Sequence, residues 1–172
     1  TDIISGRVKL DEFNVLVACG GFSYGDVLGA GGGWAKSILF SDSTRAQFEQ
    51  YFTNPNTLTL GVCNGCQMVS LLHELIPGAD NWPSFEKNRS EQFEARLCLV
   101  SIGKTASAFL LGMENSRFPL AIAHGEGKAE FKQESALQAL DASAAIAIRY
   151  VDSYGATTQT YPANPNGSAA GI

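Results

Sequence analysis

The stretch LTLGVCNGCQM, residues 58–68, decides how this chain is read. LTLGV at 58–62 has the apolar, β-rich character of a buried strand. After it, Met68, Leu71, Leu72, Leu75 and Ile76 recur at helical spacing and stop before Pro77–Gly78. The cysteines at 63 and 66 therefore fall where a strand turns into a helix. In Gly61-Val62-Cys63-Asn64-Gly65, glycine stands two positions either side of a nucleophile-type residue. A nucleophile elbow needs that arrangement, because side chains at those two positions collide with neighbouring backbone on so sharp a turn. The helix N-terminus favours thiolate at Cys63, and the amide of Asn64 is placed to stabilise an oxyanion. Cys66 then lies within the first helical turn as a packing residue.

Three other readings of the pair stay open at this level. A zinc site takes four nitrogen or sulfur ligands, and no second CxxC or Cys/His pair is evident. A thioredoxin-like redox pair also places CxxC at a helix start, but does not ask for glycines around the first cysteine alone. The third reading is two structural cysteines with no chemical role. A nucleophile also needs a base and an oxyanion site. Gly20-Gly21-Phe22-Ser23-Tyr24-Gly25-Asp26 follows the apolar run FNVLVA (13–18) and can present backbone N–H groups, although a bare glycine cluster is commonly only a connection. It lacks the spacing of a phosphate loop. Of the two histidines, His73 falls on the helix after the elbow, as a surface or packing residue. His124 ends an apolar strand in Ala121-Ile122-Ala123-His124-Gly125-Glu126-Gly127. Chemistry alone suggests a Cys63–His124–Glu126 triad; the plainer alternative is a strand-end histidine before a glycine turn.

The 172 residues suffice for one domain with a core, and 45% apolar with 17% charged residues reads as soluble and globular. A net charge of −5 without a Lys/Arg run argues against nucleic acid or an anionic membrane as main partner. No apolar run is long enough to span a bilayer, and no signal peptide is visible. Four cysteines in such a chain point to a reducing, cytoplasmic setting, with Cys98 in RLCLVSI as an inert buried thiol. WAKSILFSDSTRAQFEQYF (34–52) is predicted helical with a break near Ser41–Ser43. RLCLVSI, LAIAH, KAEF, AIAIRYV and TTQTYP are predicted strands, ESALQALDA a helix, and Asn164–Gly167 a turn. The expected fold is α/β: a mainly parallel central sheet flanked by helices, with an antiparallel extension.

ACGGFSYGDVLGAG, GWAKSILF, LGVCNGCQM, ELIPG, HGEG and RYVD followed by YPANPNGS together resemble the glutaminase domain of the large single-chain phosphoribosylformylglycinamidine synthases, also called formylglycinamide ribonucleotide amidotransferases. The resemblance runs through essentially all 172 residues. It implies a class I glutamine amidotransferase domain spanning 1–172 that hydrolyses glutamine through a thioester on Cys63. Ammonia would pass to a synthetase domain of the same parent chain, where ATP and magnesium act in purine biosynthesis; no cofactor or metal is implied in this domain itself. It implies further that Gly20, Gly21 and Phe22, with the amide of Asn64, build the oxyanion hole, that Gln67 lies near bound glutamine, and that His124, Gly125 and Glu126 line its pocket. The catalytic histidine and glutamate are expected from a Pro-His-Pro-Glu segment beyond residue 172, and an opening strand and helix before Thr1. The chain is thus expected to be a fragment, with little or no activity by itself. Gly31-Gly32-Gly33-Trp34 departs from the family pattern, which has a glutamate at the middle position.

Overall fold

Val15–Ala18 extends as strand β1 and lies parallel to β2 (Leu58–Gly61), with Val15 opposite Leu58 and Ala18 opposite Gly61. This is seen in a computed structural model, which describes residues 2–21, 29 and 31–172. Helices α1 (Gly32–Leu39) and α2 (Asp42–Thr53) connect the two strands, so the first part is a βαβ unit. The helical stretch breaks after Leu39, at the largely exposed Phe40 and at Ser41, which precedes α2. Helix α3 (Asn64–Leu71) follows β2 and tightens into a 3-10 turn at His73–Leu75 before Pro77–Gly78.

The chain divides into two units, Thr1–Trp82 and Pro83–Ile172. In the first, Ala18, Ala35, Ile38, Phe48, Tyr51, Met68, Val69 and Leu72 form the core. Leu72 is fully buried, and complete burial of such a side chain contributes about 1.5–3 kcal/mol. The β1–β2 pair differs from the buried strand expected of LTLGV. Leu16 and Ala18 pack toward the core, but Val15, Val17, Leu58 and Leu60 stay exposed. Successive side chains of a strand point to opposite faces, and the helices of this unit pack on one face only.

In the second unit, β3 (Ser84–Glu86) pairs antiparallel with β6 (Lys128–Glu130). Strand β4 (Glu94–Ile102) lies between β5 (Arg117–His124) and β7 (Ile148–Tyr150), both antiparallel to it. Cys98, Val100, Ile122 and Tyr150 form its core, and Cys98 is buried as expected. Helix α4 occupies Glu134–Ala142, the whole of ESALQALDA. The molecule is α/β, with a parallel pair and an antiparallel extension. Among the described residues the parallel part comprises two strands and the antiparallel part five. TTQTYP does not form the expected strand. One bridge, Val151 to Thr157, and the bond from Thr158 N–H to the Tyr150 carbonyl (3.1 Å) begin a pairing that goes no further. Beyond it the chain turns into a polar segment fixed by asparagine side chains.

Candidate active site

Cys63 ends the β2 segment and caps α3 in a backbone conformation of φ +51°, ψ −117°, a region that non-glycine residues rarely occupy. The turn is held by Val62 N–H to Ala18 O (2.9 Å), Gly65 N–H to Val62 O (2.9 Å) and Gln67 N–H to Cys63 O (3.0 Å). The flanking glycines are required by space. A Cβ on Gly61 would lie 2.7 Å from Cys66 Cα, and one on Gly65 would collide with the Ala18 carbonyl and lie 2.8 Å from Ala18 Cβ. The glycine at +2 thus lets α3 start directly against the end of β1, and the one at −2 lets its first turn close over β2.

The first loop comes to the same place. A Cβ on Gly20 would lie 2.8 Å from Cys63 Cβ and 3.7 Å from its Sγ, so backbone of the loop borders the thiol directly. The buried Asn64 side chain ties loop to elbow by donating from Nδ2 to the Gly21 carbonyl at 3.3 Å. Gly20, Gly21, Cys63 and Asn64 are therefore brought together, while Phe22 and the rest of the loop through Asp26 lie outside the described residues. Gln67 is buried on α3, where the helix meets the start of α1: a Cβ on Gly31 would lie 2.9 Å from the Gln67 carbonyl carbon.

All four cysteines are thiols. Burial, and then the negative charge that Cys63 can carry, push the Cys66 thiol up to about 11. Cys66 thus stays protonated at neutral pH and serves as a half-buried packing residue. Among the described residues no group of three or more His, Cys, Asp or Glu is arranged to hold a metal ion. His73 lies beyond the far end of α3, about 15 Å along the axis from Cys63 at a rise of ~1.5 Å per residue. That separation leaves it out of hydrogen-bond reach of the thiol.

In the second unit, His124, Gly125 and Glu126 form a half-buried turn between β5 and β6. His124 Nδ1 meets Asn88 Oδ1 at 3.1 Å, so its ring is oriented by an amide. Burial holds the His124 imidazole below the ordinary histidine range, with smaller opposing effects from backbone hydrogen bonding and from Glu94. Glu94 stands opposite His124 on β4, is buried, and pairs with Arg96 at 2.6 Å. Asn88 had no signal in the sequence: NRSEQF is a polar stretch without periodicity, and its role appears only in space.

A model of the CobB/CobQ-like glutamine amidotransferase domain matches residues 1–172. The solved structure of PurLQS from Thermotoga maritima is similar in fold, with a TM-score of 0.65 at 23% sequence identity. The match covers 96% of this chain and 63% of that chain, so this chain spans less than two thirds of the length of that relative. With the family match running over every residue, the chain belongs to the CobB/CobQ-like glutamine amidotransferase domain family.

Proposed function

We infer that this chain is the glutaminase part of a phosphoribosylformylglycinamidine synthase. It hydrolyses glutamine to glutamate and ammonia, and the ammonia serves ATP-dependent conversion of formylglycinamide ribonucleotide to formylglycinamidine ribonucleotide. The observation that carries the reading is Cys63 in a positive-φ elbow with the Gly20 backbone against its thiol. Cys63 Sγ, as thiolate, attacks the side-chain amide carbon of glutamine. The negative charge moves to the amide oxygen, which on this reading is received by the amide of Asn64 and the backbone of the first loop at Gly20 and Gly21. As the intermediate collapses, the C–N bond breaks and nitrogen leaves as ammonia after taking up a proton. Water then cleaves the thioester, giving glutamate and restoring the thiol. Gln67 and the His124–Gly125–Glu126 turn bind glutamine on this reading. The synthetase domain, with its ATP and magnesium, belongs to the same parent chain, and the setting is cytoplasmic.

The purine substrate is inferred from the motif resemblance described above; likeness to PurLQS supports the fold, and the family match supports glutamine as nitrogen donor.

The test is labelling by a glutamine-analogue electrophile such as a diazoketone or chloroketone, read by peptide mass spectrometry. Cys63 should be modified selectively, glutamine should protect it, and Cys63→Ser should abolish the reaction. The exposed Cys19 is the internal control. Equal labelling of Cys19 and Cys63, with no protection by glutamine, would overturn the proposal. Glutamine turnover abolished by His124→Ala would make His124 the general base rather than part of the pocket wall.

A further inference from the structure

Asn88 is 1% exposed, and both polar atoms of its side chain bond the turn that carries His124. Its Nδ2 donates to the His124 carbonyl at 2.8 Å and to the Gln92 carbonyl at 3.0 Å. Its Oδ1 accepts from Gly127 N–H at 3.0 Å and meets His124 Nδ1 at 3.1 Å. Its backbone N–H donates to the Gly125 carbonyl at 2.9 Å. One residue thus holds both ends of the His124–Gly127 turn and its middle.

This pattern also identifies Nδ1 as the ring nitrogen that donates to Asn88. The amide nitrogen faces two carbonyls and the amide oxygen faces a backbone N–H, so the amide has one orientation. An oxygen in that position accepts, so His124 donates from Nδ1–H. A neutral imidazole protonated at Nδ1 has its lone pair on Nε2. The ring also lies close against Gly127, where a Cβ would lie 2.5 Å from Nδ1 and 2.7 Å from Nε2, so glycine leaves it room.

We propose that Asn88 is a positioning residue: it clamps the His124–Gly127 turn and fixes His124 as the Nδ1–H tautomer, leaving Nε2 as a hydrogen-bond acceptor for an N–H donor of the ligand. That the ligand is glutamine, with its ammonium and amide N–H groups, rests on the functional reading above; the clamp and the tautomer do not. The arrangement follows a general requirement that a group meeting a ligand be oriented by a partner behind it.

The experiment uses the chain as it stands, at pH 8. Long-range proton–nitrogen NMR reads the His124 tautomer, with His73→Gln to assign the two histidines. Wild type should show Nδ1 protonated and Nε2 bare. Asn88→Asp should keep that tautomer, because a carboxylate accepts both bonds, whereas Asn88→Ala should give a mixture. Amide exchange at Gly127 should speed up in Asn88→Ala relative to the β4 and β5 amides. Added glutamine should shift the His124 Nε2 resonance in wild type, and at least about tenfold more should be needed in Asn88→Ala, with partial rescue in Asn88→Asp. Protonated Nε2 in wild type overturns the proposal, and so does unchanged Gly127 exchange in Asn88→Ala. If Asn88→Ala fails to fold, the wild-type tautomer and the Asn88→Asp comparison still decide. If wild-type Cys63 is not labelled at all, the glutaminase reading falls, while tautomer and exchange still decide the role of Asn88.

Discussion

Cys63 holds a backbone conformation that suits glycine, at φ +51° and ψ −117°, and keeps it because its surroundings leave no alternative. The Ala18–Val62 and Cys63–Gln67 hydrogen bonds fix the turn from both sides. A non-glycine residue in such a region costs about 1–3 kcal/mol. Glycine at 63 would remove that strain but lose about 0.5–1 kcal/mol through its more flexible unfolded chain. Cys63→Gly should therefore be more stable than Cys63→Ala by about 1 kcal/mol. The two variants are compared by denaturant unfolding, and alanine equal to or more stable than glycine would show that the turn stores no strain. The result bears on function because the strained turn presents the thiol at the head of α3. The glycines at 61 and 65 were legible in the sequence because their spacing around a nucleophile-type residue carries a steric reason. Asn88 was not: a buried amide becomes informative only when the carbonyls and N–H groups it meets are known.

Elements with a regular apolar period were readable, and those held by polar side chains were not. ESALQALDA became α4 over its full length, and the break between α1 and α2 fell at Phe40–Ser41. TTQTYP has strand-like composition, but the segment that continues it is governed by Asn164, Asn166 and Ser168. Asn164 Nδ2 donates to the Thr158 and Ser168 carbonyls (3.1 and 3.0 Å), and Asn166 Nδ2 to the Gly127 and Ile172 carbonyls (2.8 and 3.2 Å). These bonds compete with strand pairing and win, because short polar side chains satisfy backbone groups locally. Strand β3 was missed for the complementary reason: Ser84–Glu86 is three residues long and shows no alternating apolar run. Ser168, fully buried, accepts from Ala129 N–H at 2.8 Å and so anchors β6. Ser168→Ala leaves that buried N–H without its acceptor and should cost about 1–3 kcal/mol. Faster exchange at Ala129 and a lower unfolding midpoint are the expected signs, and a change below about 0.5 kcal/mol would count against the anchor.

At the scale of the whole molecule, acid acts on a chain that carries a net charge of −5 at neutral pH and has a sequence pI of about 5.0. The described groups carry one clear acid-side coupling to folding that lies above the carboxylate range. His124 is held below the ordinary histidine value by burial, against the smaller raising effect of Glu94, which is itself paired with Arg96. Its depressed folded value means that the unfolded chain binds the proton first as pH falls. Stability therefore rises with pH in that window: the contribution is complete above about 6.5, the unperturbed histidine value, and is progressively lost as pH drops through the lower folded value. Protonation would also put a second proton on a ring whose Nδ1–H already bonds Asn88 and whose site is half-buried. Between pH 7 and about 5.5, where most carboxylates remain ionised, wild type should lose protection of the β4 and β5 amides as pH falls. His124→Gln has no imidazole to titrate and should show a shallower dependence over the same window. Equal slopes in the two proteins would mean that His124 titrates alike in the folded and unfolded chains, and opposite slopes would mean that its charged form is favoured by folding.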